Sequence, residues 1–262
     1  MRFAILAALL LPLSLAAQDT KKEIQRYQQM IGEGSPVELF ELEGETLWKK
    51  AQGPKQVSLE KCDLGQGPGV LKAAYARLPR YFKDADRVMD LETRLLYCMQ
   101  TVQGRSAEEA TKRVFGNEDR PSEMEYLSAY VAAQSRGAPM APGTGHPKEK
   151  AALELGRKLF FHRAGSWDFS CASCHGEEGK RIRMQDLPVL SKAKYARPVV
   201  ATWPAYRVSN SQFKTMQWRL NDCYRQMRMP EPIFASEATV ALNLYLTATG
   251  KGEPYRGPGT KR

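Results

Sequence analysis

Residues 170–179 read SCASCHGEEG, and within them Cys171, Cys174 and His175 stand in the order C-x-x-C-H. That order is the attachment signal for a c-type haem. The spacing follows from the chemistry. Two thiols add across the two vinyl groups of a porphyrin, and the adjacent imidazole is then held under the iron as its proximal ligand. The competing readings are a redox C-x-x-C and half of a zinc site. A zinc site needs more ligands than this motif supplies. Beyond His175 the chain has only His146 and His162, and it has no second C-x-x-C.

The start of the chain, MRFAILAALLLPLSLAAQDT, fits the same reading. Arg2 is a minimal positive region, Ala4 to Leu15 is a short apolar run broken by Pro12, and small residues follow. The spacing predicts a secretory signal peptide over residues 1–17, cleaved after about Ala16 or Ala17, rather than a membrane span of roughly 20 apolar residues. The expected location is the periplasm, a compartment that permits disulfides. The formal net charge of +10 would otherwise suggest nucleic acid. Export and the lack of a basic-aromatic block argue against that, and the charge is read as a solvated surface or as steering of an anionic substrate or acidic partner. No membrane association is expected.

Residues 136–148, RGAPMAPGTGHPK, are rich in Gly and Pro without hydrophobic period and read as a linker. They separate residues 18–135 from 149–262, each about the size of an ordinary domain. The second half opens with a helical pattern in which Ala152, Leu155, Gly156, Leu159 and Phe160 recur. It closes with SEATVALNLYLTATG, where Ser236 is a natural N-cap and Gly250 a stop. The first half closes in a similar way, with Ser122 as N-cap and Gly137 as stop. Arg94 to Cys98 reads RLLYC and Arg219 to Cys223 reads RLNDC. Both are R-L-x-x-C upstream of a helix that begins Ser-Glu, which is a weak internal repeat.

Cys62 and Cys98 fall in the first half, which has no histidine and no C-x-x-C. In an oxidising compartment they are expected to pair, closing a loop of about 35 residues and stabilising by about 2–4 kcal/mol. By the repeat, Cys62 stands where a haem motif would be and Cys98 stands where the second half has Cys223. Cys223 is then odd, and an unpaired cysteine in an exported chain needs an explanation. It is an inert thiol, an intermolecular disulfide partner or a reactive group.

Two sulfur donors compete for the far side of the iron. Met229-Pro230 supplies a thioether, with Met216 and Met227 as further options, and would make a plain electron-transfer cytochrome. Cys223 supplies a thiolate, which lowers the potential and suits sulfur chemistry at the ligand. Arg219, one helical turn before it, shares its face. Positive charge there is expected to hold Cys223 as thiolate and to bind a sulfur oxyanion. Arg225 and Arg228 follow, and are read as partners of haem propionates or solvent.

With these residues the chain resembles the SoxA family, the haem subunits of SoxAX cytochromes of bacterial thiosulfate oxidation. The resemblance covers nearly the whole chain after the signal peptide. It implies a mainly α fold of two cytochrome c-like domains in tandem, the first haemless and the second carrying one covalent haem c. It implies that His175 and Cys223 are axial ligands, that Cys223 carries a persulfide and is catalytic, and that Arg219 binds substrate. The implied activity is oxidative conjugation of thiosulfate to a cysteine of the SoxY carrier in its SoxYZ complex. The implied partner is the SoxX cytochrome, with electrons passing to a soluble cytochrome c. The family often has a further basic residue near the end of the last helix, for which Lys251 and Arg256 are the options here.

Overall fold

The computed structural model describes residues 35–117, 120–182 and 185–261. The expected signal peptide lies outside them. Helix α1 (Pro36–Lys49) is capped by Ser35, whose side chain accepts from the Val37 N–H, with Pro36 in the first turn. It buries Val37, Phe40, Gly44 and Trp48 along one face. The 3₁₀ turns Leu59–Lys61 and Tyr75–Arg77 and the hairpin of β1 (Arg80–Phe82) with β2 (Arg87–Met89) lead to α2 (Leu91–Thr101). Then come α3 (Ala107–Thr111) and α4 (Glu123–Ala133), the latter opened by a Ser122/Glu125 capping box. Helix α4 ends at Ala133, and Gly137 follows with φ +80°.

The second half also runs from a long helix to a capped helix near its end. Helix α5 (Pro147–Phe161) precedes the one-turn helix α6 (Cys171–His175), and the short strands β3 (Arg181–Ile182) and β4 (Gln185–Asp186) pair antiparallel. They are followed by α7 (Ala193–Val200), β5 (Ala205–Arg207), β6 (Gln212–Lys214), α8 (Met216–Gln226), α9 (Glu237–Thr249) and β7 (Gly259–Lys261). Ser236 and Gly250 bound α9 as the sequence predicts. Strand β5 is the centre of a three-stranded sheet, antiparallel to β6 and parallel to β7.

In each half the first helix crosses the last. Helix α1 packs on α4, and α5 packs on α9. A glycine stands at each crossing. A Cβ on Gly44 would overlap the Tyr126 carbonyl oxygen and stand 2.7 Å from Tyr130 Cβ. A Cβ on Gly156 would overlap the Ala241 carbonyl oxygen and stand 2.8 Å from Tyr245 Cβ. One turn on, Trp48 and Phe160 are both buried. The glycines let two backbones approach, and the aromatics fill the space beneath.

Cys62 and Cys98 are disulfide-bonded, with Cα atoms 5.6 Å apart, inside a core that includes Leu59, Leu64, Phe82, Leu95 and Leu127. Arg94, the counterpart of Arg219 in the R-L-x-x-C repeat, is buried. Its guanidinium donates to the Asp63 carbonyl and to Asp84, and lies 4.1 Å from the centre of the Phe82 ring.

Polar groups join the halves. The N-terminal turns of α2 and α8, which correspond in the repeat, meet directly. Gln217 donates through its side chain to both carboxylate oxygens of Asp90, and its backbone N–H donates to Glu92. Asn243 of α9 also donates to Asp90. Lys214 and Glu125 form an ion pair at 2.9 Å with both side chains fully buried. The expected linker is held on two sides. Gly137 and Met140 donate to the backbone of residues 253–255, and Ala141 and Gly143 donate to Ala76 and Pro79.

Candidate functional site

Ser170 caps α6, accepting from the Ser173 N–H, while Ser173 returns a hydroxyl acceptor to the Ser170 N–H. This reciprocal cap fixes a single turn that would be marginal alone. On that turn Cys171, Cys174 and His175 share a face, as residues three and four apart do. All three line a cavity of about 570 Å³, within the roughly 300–1,000 Å³ range of cofactor sites. Phe160, Leu190, Val200, Leu220 and Leu246 give it an apolar wall, while Trp167, Phe169 and Ile182 are lining residues left partly in solvent.

The His175 ring is oriented from behind. Its Nδ1 lies 2.8 Å from the Pro188 carbonyl oxygen. A carbonyl oxygen only accepts, so Nδ1 carries the proton and Nε2 keeps the lone pair. Burial holds the imidazole below its usual range, and Arg219 adds to this against the opposing effect of the Pro188 contact. The ring is thus neutral and competent as a ligand, with the outer hydrogen bond that such ligands use.

Helix α8 forms another wall. Thr215 caps it, accepting from the Trp218 N–H, and Met216, Arg219, Leu220, Cys223 and Tyr224 reach the cavity. Arg219 and Cys223 are one turn apart. The sequence brings Cys171, Cys174, His175, Arg219 and Cys223 to one place, although Cys223 lies far along the chain from the C-x-x-C-H. Met216 and Met227 also line the cavity, whereas Met229 does not.

Several expectations need correction. Burial pushes the Cys223 thiol up. Arg219 and Arg207 pull it down without overcoming burial, and Asp222 and Cys174 oppose them. Asp222 accepts from Arg219 at 2.6 Å and from Gln226, so its carboxylate offsets part of the effect of that arginine on the thiol. The arginine alone therefore does not make Cys223 a thiolate. Metal ligation would, because coordination removes the thiol proton. Burial likewise drives Cys171 up to about 12. Arg225 and Arg228 do not line the cavity. Arg225 pairs with Asp222 and Glu231, and Arg228 lies over the Trp167 ring.

Neither Lys251 nor Arg256 reaches the cavity. Lys251 donates to Thr144, and Arg256 pairs with Glu253. Among the described residues, the lysine and arginine side chains that line it beside Arg219 are Arg207 of β5 and Lys261 of β7. They belong to no motif. They meet because β5 and β7 pair across more than fifty residues of chain, and no local signal marks that pairing.

The cavity fits a haem. It is large and apolar, two thiols and an oriented imidazole face it from one turn of helix, and a second sulfur and basic groups line it elsewhere.

The chain is similar to known proteins of one family. The family model described as SoxA/TsdA, cytochrome c domain, matches residues 43–140, in the half that lacks C-x-x-C-H. The L-cysteine S-thiosulfotransferase subunit SoxA of Hydrogenophilus thermoluteolus is 48% identical over 92% of this chain and 88% of its own. A SoxA of Hydrogenobacter thermophilus is 38% identical over 94% of this chain and 89% of its own. The crystal structure of SoxXA from P. pantotrophus superposes with a TM-score of 0.71 at 24% identity, covering 87% of this chain and 79% of that one, which is a likeness of fold.

Proposed function

The chain belongs to the SoxA family of L-cysteine S-thiosulfotransferase subunits, and from that premise we propose that it joins thiosulfate to a cysteine of a SoxY carrier, with Cys223 as the catalytic residue. The convergence of Cys171, Cys174, His175, Arg219 and Cys223 on one cavity carries this reading. Cys171 and Cys174 would hold one haem c covalently, and His175 and Cys223 would ligate its iron. When bound, the haem supplies an electron sink beside the reacting sulfur.

The work of the chain's own residues follows from their placement. Arg219 presents guanidinium N–H groups to the sulfonate oxygens of thiosulfate. Cys223, half-buried and one turn away, offers the sulfur that receives the sulfane end. The apolar wall keeps water from the sulfur–sulfur bond. Overall, a carrier thiolate and thiosulfate form a cysteine S-thiosulfonate. A new sulfur–sulfur bond is made and two electrons are released, to be taken by the SoxX cytochrome subunit and then by a soluble cytochrome c. Export to the periplasm fits a carrier system that works on free thiols outside the reducing cytosol.

The repeated helix crossing and the family model's match to the first half support two cytochrome c-like units, 18–135 and 149–262. The first would be haemless and closed by Cys62–Cys98, and residues 136–148 would join the two. Arg94, locked between Asp63, Asp84 and Phe82, stands where the second unit presents Arg219.

Replacing Cys223 tests the reading against His/Met ligation. With the SoxX-bound, haem-loaded protein, mass analysis of the carrier cysteine should show conjugation falling on the order of 10³-fold or more in Cys223→Ser. Met216→Leu, Met227→Leu and Met229→Leu should retain it. Retention in Cys223→Ser would sink the proposal.

A further inference from the structure

We propose that Arg207 and Lys261 form, with Arg219, a preformed site for a divalent sulfur oxyanion in the wall beside Cys223. The inference rests on thiosulfate being the substrate and names the residues that would hold its charge.

Arg207 and Lys261 are register partners on the parallel strands β5 and β7, so their side chains leave the same face of the sheet. Like charges placed side by side on a sheet are destabilising. Both residues line the cavity, as does Arg219 on the neighbouring helix. Among the described residues, Arg219 has an ion-pair partner, Asp222, but no ion pair is formed by Arg207 or Lys261. Arg207 reaches only the Ser209 hydroxyl, at 3.5 Å, and its Nε is buried without a hydrogen-bond partner. Lys261 donates to the Thr202 hydroxyl at 2.7 Å and stands 5.7 Å from the centre of the Trp203 ring.

A buried donor without a partner and three crowded cations are a standing cost in a folded chain. Burial and then mutual repulsion disfavour their charged forms. Burial, with Arg219 and Arg207, brings the Lys261 ammonium down to about 8, and burial with Arg219 lowers the Arg207 guanidinium. An anion among them removes the cost. Thiosulfate is a dianion and can oppose more than one of these charges at once. Cys223 lines the same cavity, one helical turn from Arg219, so the anion is held beside the sulfur that reacts. Guanidinium forks suit a tetrahedral oxyanion, and the lysine adds a point charge.

The test uses the haem-loaded protein with its SoxX partner, comparing wild type, Arg207→Gln, Arg207→Lys and Lys261→Met. Thiosulfate is titrated without carrier, and binding is read from the visible absorption of the oxidised protein. KM for thiosulfate and kcat are read in turnover. The expected result is a dissociation constant and KM raised about tenfold or more in Arg207→Gln and in Lys261→Met. Arg207→Lys should be intermediate, and kcat should change much less. Unchanged constants in both charge-removing variants overturn the proposal. So does a pattern in which haem content or reduction potential shifts while thiosulfate affinity stays the same, since these cations would then serve the carboxylates of the haem. Absence of any thiosulfate response in the wild type would instead refute the reading of the substrate.

Discussion

Gly156 and Ala241 are in backbone contact where α5 crosses α9, and a methyl group on Gly156 would overlap the Ala241 carbonyl oxygen. Gly44 stands in the same relation to Tyr126 where α1 crosses α4. Helix propensity alone makes Gly→Ala stabilising by about 1 kcal/mol, so the sign of the effect is diagnostic. Gly156→Ala and Gly44→Ala are each expected to destabilise by about 1–3 kcal/mol through overpacking, measured as a lower denaturation midpoint. Only Gly156→Ala should also reduce haem retention, because Phe160, one turn on, lines the cavity. An unchanged midpoint in both would show that the crossings are not close-packed.

Glu92 gives a pH-dependent prediction. Burial first, and then Asp90, raises its carboxyl well above the usual range, against hydrogen bonds from Thr215 and Gln217. The unfolded chain loses this proton near pH 4.5, whereas the folded chain keeps it to higher pH. Between those points the native state binds more protons, so stability falls as pH rises. Glu92→Gln keeps an acceptor for the Gln217 N–H and cannot ionise. It should raise the melting temperature at pH 7, by about 2–4 °C for each kcal/mol relieved, and give no gain below about pH 4.5. A gain independent of pH would show that ionisation is not the cause.

Removing the disulfide separates stability from chemistry. Neither Cys62 nor Cys98 lines the cavity. Cys62→Ser with Cys98→Ser should cost about 2–4 kcal/mol in a denaturant melt. The visible spectrum and thiosulfate turnover of the folded fraction should stay as in the wild type. A spectral change would mean that the first half acts on the haem directly.

The helices bounded by strong caps were legible in the sequence. Ser122, Ser236 and Gly250 mark ends that the structure keeps. Helix α1 carries ordinary signals too, in Ser35-Pro36 and the spacing of Val37, Phe40, Gly44 and Trp48. The strands were not legible. Each has two or three residues, too few for a period of two to show.

The attachment signal is legible in the sequence. C-x-x-C-H is local, because two thiols and an imidazole must sit on one turn of helix to meet one porphyrin. The sequence also singled out Cys223 and Arg219, through a short repeat and the cysteine count. Tertiary structure alone decided what stands around that sulfur. It placed Arg207 opposite Lys261 by pairing strands from distant parts of the chain, and it left Lys251 and Arg256 elsewhere. It also set the balance at Cys223, where burial outweighs the arginines. Charge and desolvation depend on what fills the space around a group, and that space is assembled from segments whose proximity no local pattern encodes.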